Sequence, residues 1–538
     1  MKSLCFTALI LSLITPAWTT TPTEQFYEEL SFRNLKDGRV ATRFSFKTVL
    51  NGSVPRDPST LGQEDQSQHY RLFPLAMGQI LREYALTELH LTLNAGNWDY
   101  DRWGYLDEPS VGTGAELWTW MADGAPSSID ERWEGTRNAL GGLFCSSLGG
   151  LNDKRTTSPE SVFRPEGDLP DWGKPHRLRH ASLASENVCT ENLTPFIKLL
   201  PCKALSGIAT LLNPHRLFDA DWHGLGVHVV WNEHTGVEIS LVIQAVLNPF
   251  RFSQEKTIEW SFNSLFKKQV ERQCPIASAS TLSVSFPAGE SWSLEPQGSK
   301  SEGGVSLYDL AQAQYPFDLQ AKASTDLSTS VHEDFKPPLR VQRALNGPSQ
   351  AYGRLSVSFS NTGAAPVQAL YLETMPWLVQ FYLHTLTASA NGTENGELLS
   401  HIQYTPAVPH GKPATVQLEV HVPAYTEVLL TMEVAKSFLR YTDHPPDAQR
   451  GWDLPPAVVI PFLVEQNSSS NAISLRKLPR MYTNSLLVDL ATPDFSMPYN
   501  VIIFTCSLIA FLFGSVFNML TRNFVVVSLK DDSETEKP

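Results

Sequence analysis

The sequence predicts a mainly β fold with some α: a mixed α/β region, an antiparallel β-sandwich and a single C-terminal transmembrane helix. Three observations support this. Apolar residues alternate with period two along most of the chain, few stretches have helical spacing, and one uncharged apolar stretch lies near the C-terminus. Because 538 residues are too many for one ordinary core, we expect two or three domains.

The first residues, MKSLCFTALILSLITPAWTT, are typical of a secretory signal peptide. Lys2 precedes an apolar stretch, and small residues follow near Ala17. The stretch is shorter than a membrane span, which disfavours the alternative of an N-terminal anchor. We therefore expect residues 1–19 to be removed and residues 20–290 to form a lumenal domain of mixed α and β structure.

Apolar alternation in the N-terminal region predicts half-buried antiparallel strands. Segments with this pattern include VATRFSFK from Val40, ELHLTL from Glu88 and VEISLVI from Val237. Apolar residues at helical spacing predict one helix within LFPLAMGQILREYAL, from Leu72, and a second over Glu131–Phe144. The residues just before the second helix, Ser-Ile-Asp, can cap its start.

A linker-like composition separates this region from the next. Residues 287–305 are rich in Gly, Ser, Pro and Glu, so we place a domain boundary near residue 290. Over residues 291–490, short alternating segments such as LSVSF at Leu355 and VQLEVHV at Val416 are spaced by turns. That spacing predicts an antiparallel β-sandwich.

The segment VIIFTCSLIAFLFGSVFNML predicts a transmembrane helix over residues 501–521, because it is uncharged and long enough to cross a bilayer. Arg522 and Lys530 follow it, whereas the juxtamembrane loop, residues 491–500, contains no basic residue. The positive-inside rule then puts the tail, residues 522–538, in the cytosol and gives a single-pass type I orientation.

One face of this helix carries small and polar residues at a spacing of four, namely Ala510, Gly514 and Asn518. Small residues let two helices approach closely, and an asparagine amide can hydrogen-bond to a neighbouring helix. We expect this face to dock on a multi-spanning partner. The alternative is an incidental pattern in a lone anchor.

An exported chain meets glycosylation and oxidising conditions. Four positions carry the acceptor sequence for N-glycosylation: Asn51, Asn192, Asn391 and Asn467. Four cysteines lie outside the signal and the span: Cys145, Cys189, Cys202 and Cys274. They allow three intrachain pairings. The residues alone favour a Cys189–Cys202 bridge, which closes a small loop.

Composition and motifs argue against several classes of function. The net charge of −14, with no run of basic residues, disfavours a nucleic-acid partner. The chain lacks the motifs of zinc proteases, serine hydrolases, P-loop proteins and dithiol redox proteins, so we predict no catalytic residue, metal or cofactor.

Histidines in apolar patterns, such as His90, are expected in the core or on the surface rather than as bases. Four tryptophans are expected in the core or at a domain interface rather than on a sugar- or lipid-facing surface: Trp98, Trp103, Trp118 and Trp120.

Several long motifs resemble the PIG-T family of subunits of the glycosylphosphatidylinositol (GPI) transamidase. They include HYRLFPLAMGQILREYALTELHLTL, VCTENLTPFIKLLPC and TPDFSMPYNVI, and the resemblance runs from about Phe26 to Phe524. It implies a non-catalytic scaffold subunit of the endoplasmic reticulum membrane. The complex would cut a C-terminal signal from a proprotein and join the new carboxyl end to GPI. The catalytic cysteine would belong to a caspase-like subunit.

The resemblance also implies a disulfide between chains. Cys189, in VCTENLTP, matches the family's cysteine that bonds to the catalytic subunit. This reverses the Cys189–Cys202 pairing and leaves three cysteines, an odd number, so that one of Cys145, Cys202 and Cys274 should be free.

A second site that the resemblance implies lies just before the transmembrane helix. Asp494, Ser496 and Asn500 match residues that contact GPI in the family. Gln449 stands where the family has an asparagine that makes a fourth contact. The alternative is that this loop only positions the end of the helix.

The partners that follow are the caspase-like subunit, other multi-spanning subunits, the GPI lipid and the proprotein. An alternative from a different class is a type I cell-surface adhesion or receptor ectodomain. A lumenal hydrolase that processes glycans is a second alternative.

Overall fold

The computed structural model describes residues 24–65, 68–186, 188–251, 259–286, 292–302, 304–323, 337–347, 349–444, 450–466, 473–492 and 496–527. The predicted signal peptide lies outside these residues. The chain divides into two compact units: Met1–Phe438 with Arg450–Leu490, and Leu439–Gln449 with Ala491–Pro538.

The larger unit begins with an N-terminal half, residues 24–323, in which strands dominate. Its strands are β1 (Glu24–Asn34), β2 (Val40–Leu50), β3 (Glu88–Gly96), β4 (Gly114–Ala122), β5 (His176–Leu183), β6 (Trp222–Asn232), β7 (Gly236–Leu247), β8 (Glu259–Ser261), β9 (Ala279–Ser285), β10 (Trp292–Glu295), β11 (Lys300–Glu302), β12 (Val305–Asp309) and β13 (Gln320–Ala323). They form a ten-stranded sheet of order β11-β12-β9-β1-β2-β7-β6-β3-β4-β5 and a small sheet β10-β13-β8.

The helices of the N-terminal half are α1 (Leu75–Glu83), α2 (Tyr100–Trp103), α3 (Ile129–Phe144), α4 (Thr190–Leu199), α5 (Pro214–Leu217) and α6 (Phe262–Phe266). All except α2 contribute to the buried core on one face of the ten-stranded sheet, whereas Trp103 of α2 packs with Trp222 and Val246 in a separate cluster. Met77, Trp133 and Phe196 of these helices share a buried core with Leu89 and Leu91 of β3. The prediction of two helices is confirmed for α1 and α3. Ser128 caps α3 through a reciprocal capping box with Glu131, as the sequence indicated.

The second half of the larger unit, residues 337–490, is the predicted sandwich. Its strands are β14 (Leu339–Asn346), β15 (Tyr352–Asn361), β16 (Val367–Met375), β17 (Val379–Phe381), β18 (Thr387–Ala390), β19 (Thr393–Glu394), β20 (Leu399–Thr405), β21 (Ala414–Val422), β22 (Glu427–Lys436), β23 (Trp452–Leu454), β24 (Val458–Gln466), β25 (Ile473–Lys477), β26 (Met481–Tyr482) and β27 (Leu486–Val488). One sheet has the order β14-β15-β22-β18-β19 and the other β20-β21-β16-β24-β25. Phe359 and Tyr371 meet between the sheets in an edge-to-face contact.

Strand β3 departs from the expected half-buried pattern. Residues 88–94 are all buried, including the polar side chains of His90 and Thr92. The reason is that the sandwich packs on the second face of the ten-stranded sheet. We call this interface the seam. Trp118 and Phe163 of the N-terminal half share its core with Ile460 and Tyr482 of the sandwich.

Two further details differ from the sequence expectation. Strand β1 pairs with β9 in parallel, Leu30 opposite Leu282, although only antiparallel strands were expected here. Strand β12 pairs with β9, and β10 pairs with β13, so residues 292–323 extend sheets of the N-terminal half. The polar composition of residues 287–305 therefore does not mark the separation between the two halves.

The smaller unit contains α7 (Ser496–Thr521), the long C-terminal helix. Its stretch Tyr499–Thr521 is long and apolar enough to cross a membrane, with a mean hydropathy of 2.2. This agrees with the helix predicted for residues 501–521.

Candidate functional site

Cys189 lies at the N-terminus of α4, where it is the N-cap residue and its side chain is exposed. The helix begins here because the backbone N–H of Cys189 donates to Asn192 Oδ1 at 2.7 Å, as in a capping box. Val188, directly before the cysteine, is buried. The thiol is therefore presented to solvent from a backbone that is held on both sides.

The side chain of Asn192 forms hydrogen bonds that join the start of α4 to the end of α3. Its amide nitrogen donates to the carbonyl oxygens of Phe144 at 2.8 Å and Cys145 at 3.3 Å, and the residue is 1% exposed. A glycan on this amide would replace one of these hydrogens, so the burial and the two hydrogen bonds argue against glycosylation of Asn192 in the folded chain. Glycosylation of Asn192 stays a prediction.

The other predicted glycosylation positions differ in exposure. Asn391 is exposed in the turn between β18 and β19, and Asn51 is partly exposed after β2. Asn467 lies outside the described residues. Glycosylation at these three positions stays a prediction.

Cys202 forms a disulfide with Cys274, and the two Cα atoms are 6.0 Å apart. This settles the intrachain pairing that the sequence left open, and the Cys189–Cys202 bridge favoured by the residues alone is wrong. The bond ties the segment after α4 to the segment after α6. Because Cys274 is buried, it anchors the α4 region to the core of the N-terminal half.

Cys145 and Cys189 are both free and exposed. Cys145 ends α3 in a left-handed conformation, with φ of 51°. The side chain of Asn192 bonds the backbone of both cysteines, so the two thiols belong to one patch of surface. Cys145 is therefore the natural control for any experiment on Cys189.

The seam contains buried ionisable groups that the sequence analysis did not single out. Glu116 accepts from His180 Nε2 at 2.9 Å and from the Tyr482 hydroxyl at 2.7 Å. Burial alone would raise the pKa of Glu116. The hydrogen bond and charge of His180, with the charge of Arg480, outweigh that effect and lower this pKa. The Arg480 guanidinium lies 4.6 Å from the ring centre of Phe163.

Beside this group, Glu88 contacts a pair of histidines. Glu88 Oε1 lies 3.0 Å from His90 Nε2, and His90 Nδ1 lies 2.9 Å from His228 Nδ1. Burial raises the pKa of Glu88 to about 7 and lowers the pKa of each histidine to about 4. The histidines are neutral at physiological pH and have hydrogen-bond partners, as expected for His90 in the core.

These groups lie at the interface between the two halves. Glu88 and Glu116 are at most 2% exposed. A carboxylate inside an apolar strand segment, as in GAELWTWM, was the signal in the sequence that could have revealed them. The four predicted tryptophans are all buried, at 2–6% exposure, which confirms core or interface positions for Trp98, Trp103, Trp118 and Trp120.

The residues predicted near the membrane are only partly described. Gln449 and Asp494 lie outside the described residues. Ser496 begins α7, and Asn500 is an exposed residue of that helix. The site implied for these four residues therefore stays a prediction.

The residues of the predicted docking face of α7 are exposed to solvent among the described residues. Ala510, Gly514 and Asn518 are exposed, and a Cβ atom added at Gly514 would meet no neighbouring atom within 4 Å.

Comparison with known families identifies the class of protein. The family described as "Gpi16 subunit, GPI transamidase component" matches residues 9–258 and 249–538. The chain belongs to the Gpi16 family. Its relatives include the human GPI-anchor transamidase component PIGT, which is 34% identical over 96% of this chain and 94% of the relative.

Two fungal relatives are also named as GPI transamidase components. The Schizosaccharomyces pombe GPI transamidase component PIG-T homolog is 31% identical over 97% of this chain and 95% of its own. The Saccharomyces cerevisiae GPI transamidase component GPI16 is 29% identical over 94% and 89%. Among solved structures, the collagen-binding domain of a Staphylococcus aureus adhesin covers 27% of this chain and 97% of its own, at a TM-score of 0.16. Membership of this family makes the chain a component of a GPI transamidase, which implies further subunits.

Proposed function

We propose that this chain is a non-catalytic scaffold subunit of the GPI transamidase in the endoplasmic reticulum membrane, with its bulk in the lumen. The complex would attach GPI to the C-termini of proproteins, with its catalytic cysteine on a caspase-like subunit. The observation that carries the proposal is the state of Cys189. Its thiol is free and exposed on a capped helix, while Cys202 is bonded to Cys274. Cys189 is therefore available for a disulfide to the catalytic subunit.

A non-reducing gel of the full chain from its native membrane tests this disulfide. We expect a heavier band that collapses on reduction, is missing in Cys189→Ser and is retained in Cys145→Ser. The matched control matters because both thiols are exposed on the same patch.

Two results would contradict the disulfide. One is a wild-type chain that runs only at monomer mass. The other is a heavier band that survives Cys189→Ser but is lost in Cys145→Ser, which would assign the bond to the neighbouring thiol.

Digestion with endoglycosidase H tests the compartment. Sensitive glycans fit residence in the endoplasmic reticulum, and resistant glycans favour the alternative of a cell-surface ectodomain.

We further propose that Asp494, Ser496, Asn500 and Gln449 contact GPI. A carboxylate, a hydroxyl and amides can accept from, or donate to, the amine, phosphates and sugar hydroxyls of a GPI headgroup. A segment directly before a transmembrane helix lies at the height of lipid headgroups.

Asp494→Ala should lower attachment of GPI to a reporter proprotein at unchanged amounts of assembled complex. Asp489→Ala, an exposed carboxylate nearby, is the control. Equal loss in both variants would count against a specific contact.

The small-residue face of α7 is proposed to dock on a multi-spanning subunit. Gly514→Leu would block close approach of a second helix. Ser515→Leu makes a similar change about 100° around the helix. We expect Gly514→Leu, but not Ser515→Leu, to lower the recovery of the assembled complex. Equal recovery of the complex with both variants would contradict this proposal.

A further inference from the structure

Exposed apolar and basic side chains surround the Cys202–Cys274 disulfide. Leu205 and Ile276 are 67% and 41% exposed, although both are large apolar residues. The two segments that carry them lie side by side, because the disulfide joins one segment to the other. We call the surface formed by these segments the disulfide patch. It consists of Lys198, Lys203, Leu205, Arg272 and Ile276.

The backbone beneath the disulfide patch is held in place by hydrogen bonds as well as by the disulfide. The N–H of Gly207 donates to the carbonyl of Arg272 at 2.9 Å, and Arg272 Nε donates to the carbonyl of Leu205 at 3.1 Å. Lys203, directly after the bonded Cys202, has a left-handed turn conformation with φ of 50°. The exposed side chains therefore project from a fixed backbone, which lowers the entropy cost of binding a partner.

The disulfide patch has the opposite charge to the chain as a whole. Residues 198–207 and 267–276 contain five basic residues and one acidic residue, Glu271, whereas the whole chain has a net charge of −14. Exposed cations beside exposed apolar side chains suit a surface that offers carboxylates and an apolar contact. All five basic residues are exposed, and none forms an ion pair with a described residue: Lys198, Lys203, Lys267, Lys268 and Arg272.

The disulfide patch lies at one end of α4, and Cys189 lies at the other. Glu191, Thr194 and Lys198 are exposed and spaced by three and four residues, so they share one face of α4 that leads to the patch. The rise along the helix from Cys189 to Lys198 is about 14 Å. A standard interface covers about 800 Å² on each partner, which is a disc about 32 Å across. A polypeptide bonded to Cys189 is therefore wide enough to cover the patch as well.

We propose that the disulfide patch is a second, non-covalent contact for the polypeptide bonded to Cys189, and that it binds an acidic surface of that polypeptide. This inference rests on the proposed disulfide at Cys189. One disulfide leaves the partner free to rotate about single bonds. A second contact about 14 Å away fixes the orientation of the partner, and the covalent bond makes this contact effectively intramolecular, so that it can be weak by itself.

Charge reversal in the full chain within its native membrane tests the contact. Lys198→Glu with Lys203→Glu changes two exposed side chains that make no hydrogen bond to a described residue. The pair is introduced into a Cys189→Ser chain, in which only non-covalent contacts retain the partner. We expect recovery of the partner polypeptide to fall about tenfold at low salt. Without the charge reversal, recovery by the Cys189→Ser chain should itself fall as salt is raised, because salt screens exposed charges.

A matched pair of substitutions in the sandwich provides the control. Lys412→Glu with Lys477→Glu makes the same change of net charge at exposed residues that form no ion pair with a described residue. In the Cys189→Ser chain this control pair should leave both the recovery of the partner and its dependence on salt unchanged. Equal recovery with the two charge-reversed pairs would overturn the inference.

The non-reducing gel of the otherwise unchanged chain separates this inference from the proposed function. Absence of the heavier band contradicts the disulfide at Cys189. Presence of that band, together with equal recovery by the two charge-reversed pairs, overturns only the role of the disulfide patch.

A photo-crosslinking side chain at Leu205 identifies what covers the disulfide patch without changing its charge. In the native membrane, we expect Leu205→benzoylphenylalanine to form an adduct with the same polypeptide that is bonded to Cys189. An adduct with lipid alone would show that the patch faces the membrane, and an adduct with a different subunit would assign the patch to another interface. Either result would overturn the inference. This measurement decides even if the charge-reversed chain fails to fold.

Discussion

The two halves of the larger unit bury their polar residues in different ways. The sandwich encloses a compact ion pair, Arg343 with Glu373, between its sheets, and each side chain is at most 1% exposed. The N-terminal half instead places carboxylates and histidines, such as Glu116 and His180, on the sheet face that meets the sandwich. This difference shows that the polar face of an alternating strand is exposed to water only where no second sheet or helix packs on it.

The largest effect is expected inside the sandwich. Arg343→Met leaves the Glu373 carboxylate buried without its charge partner, which should lower the free energy of unfolding by about 3–5 kcal/mol. Chemical denaturation of the full chain in detergent measures this. Arg476→Met, which breaks an exposed pair with Glu465, is the control and should cost less than about 1 kcal/mol. Similar losses in both variants would mean that burial does not strengthen the sandwich pair.

The disulfide is a second difference between the halves, because residues 337–490 contain no cysteine. Replacing Cys202 and Cys274 with serine together should lower the free energy of unfolding by about 2–4 kcal/mol, since the bond closes a loop with a sequence separation of 72. Hydrogen exchange should quicken around α4 and α6 and stay unchanged in the sandwich. Exchange that quickens equally in both halves would show that the bond does not act locally. Cys145→Ser, at a free and exposed cysteine, is the control.

The buried Glu88 carboxyl in the seam predicts that the stability of the folded chain depends on pH. The pKa of Glu88 is about 7 in the folded chain, against 4.5 for an unperturbed carboxyl. Between pH 4.5 and 7 the unfolded chain therefore releases this proton while the folded chain retains it, so the contribution of Glu88 to stability falls as pH rises. The cost of Glu88→Gln should accordingly shrink by about 2 kcal/mol between pH 5 and pH 7.5.

Denaturation of both proteins at the two pH values measures this change. His90, whose pKa is lowered to about 4, contributes in the opposite direction, because its share of stability rises with pH between 4 and 6.5. It is present in both proteins and largely cancels in the comparison. A cost that is the same at both pH values would contradict a raised pKa for Glu88.

The smallest effect is expected at the helix junction beside Cys189. Asn192→Ala removes the cap of α4 and leaves the carbonyl of Phe144 without this donor, which should cost about 1–2 kcal/mol. Because the native amide is buried, the same substitution should not change the mass of the glycosylated chain. Asn391→Asp, which keeps a residue suited to the positive φ of 48° in this exposed turn, is the control and should leave stability nearly unchanged. A mass loss with Asn192→Ala would show that this position is glycosylated before it is buried.

Local patterns of residues determined much of this structure. Alternation in VATRFSFK and VQLEVHV marked β2 and β21, and the Ser128 cap marked the start of α3, because each rests on neighbours within a few residues. The apolar stretch at residues 501–521 likewise indicated the long C-terminal helix on its own.

Only the tertiary structure decided the features that join distant segments. Pairing of β1 with β9, the Cys202–Cys274 bond and the burial of Asn192 against Phe144 each depend on residues at least 48 positions apart. Burial of His90 depends on a sandwich that begins more than two hundred residues later. A sequence pattern reports which face of a strand is apolar, but it does not report which layer covers the other face, because packing between layers is set by the whole fold.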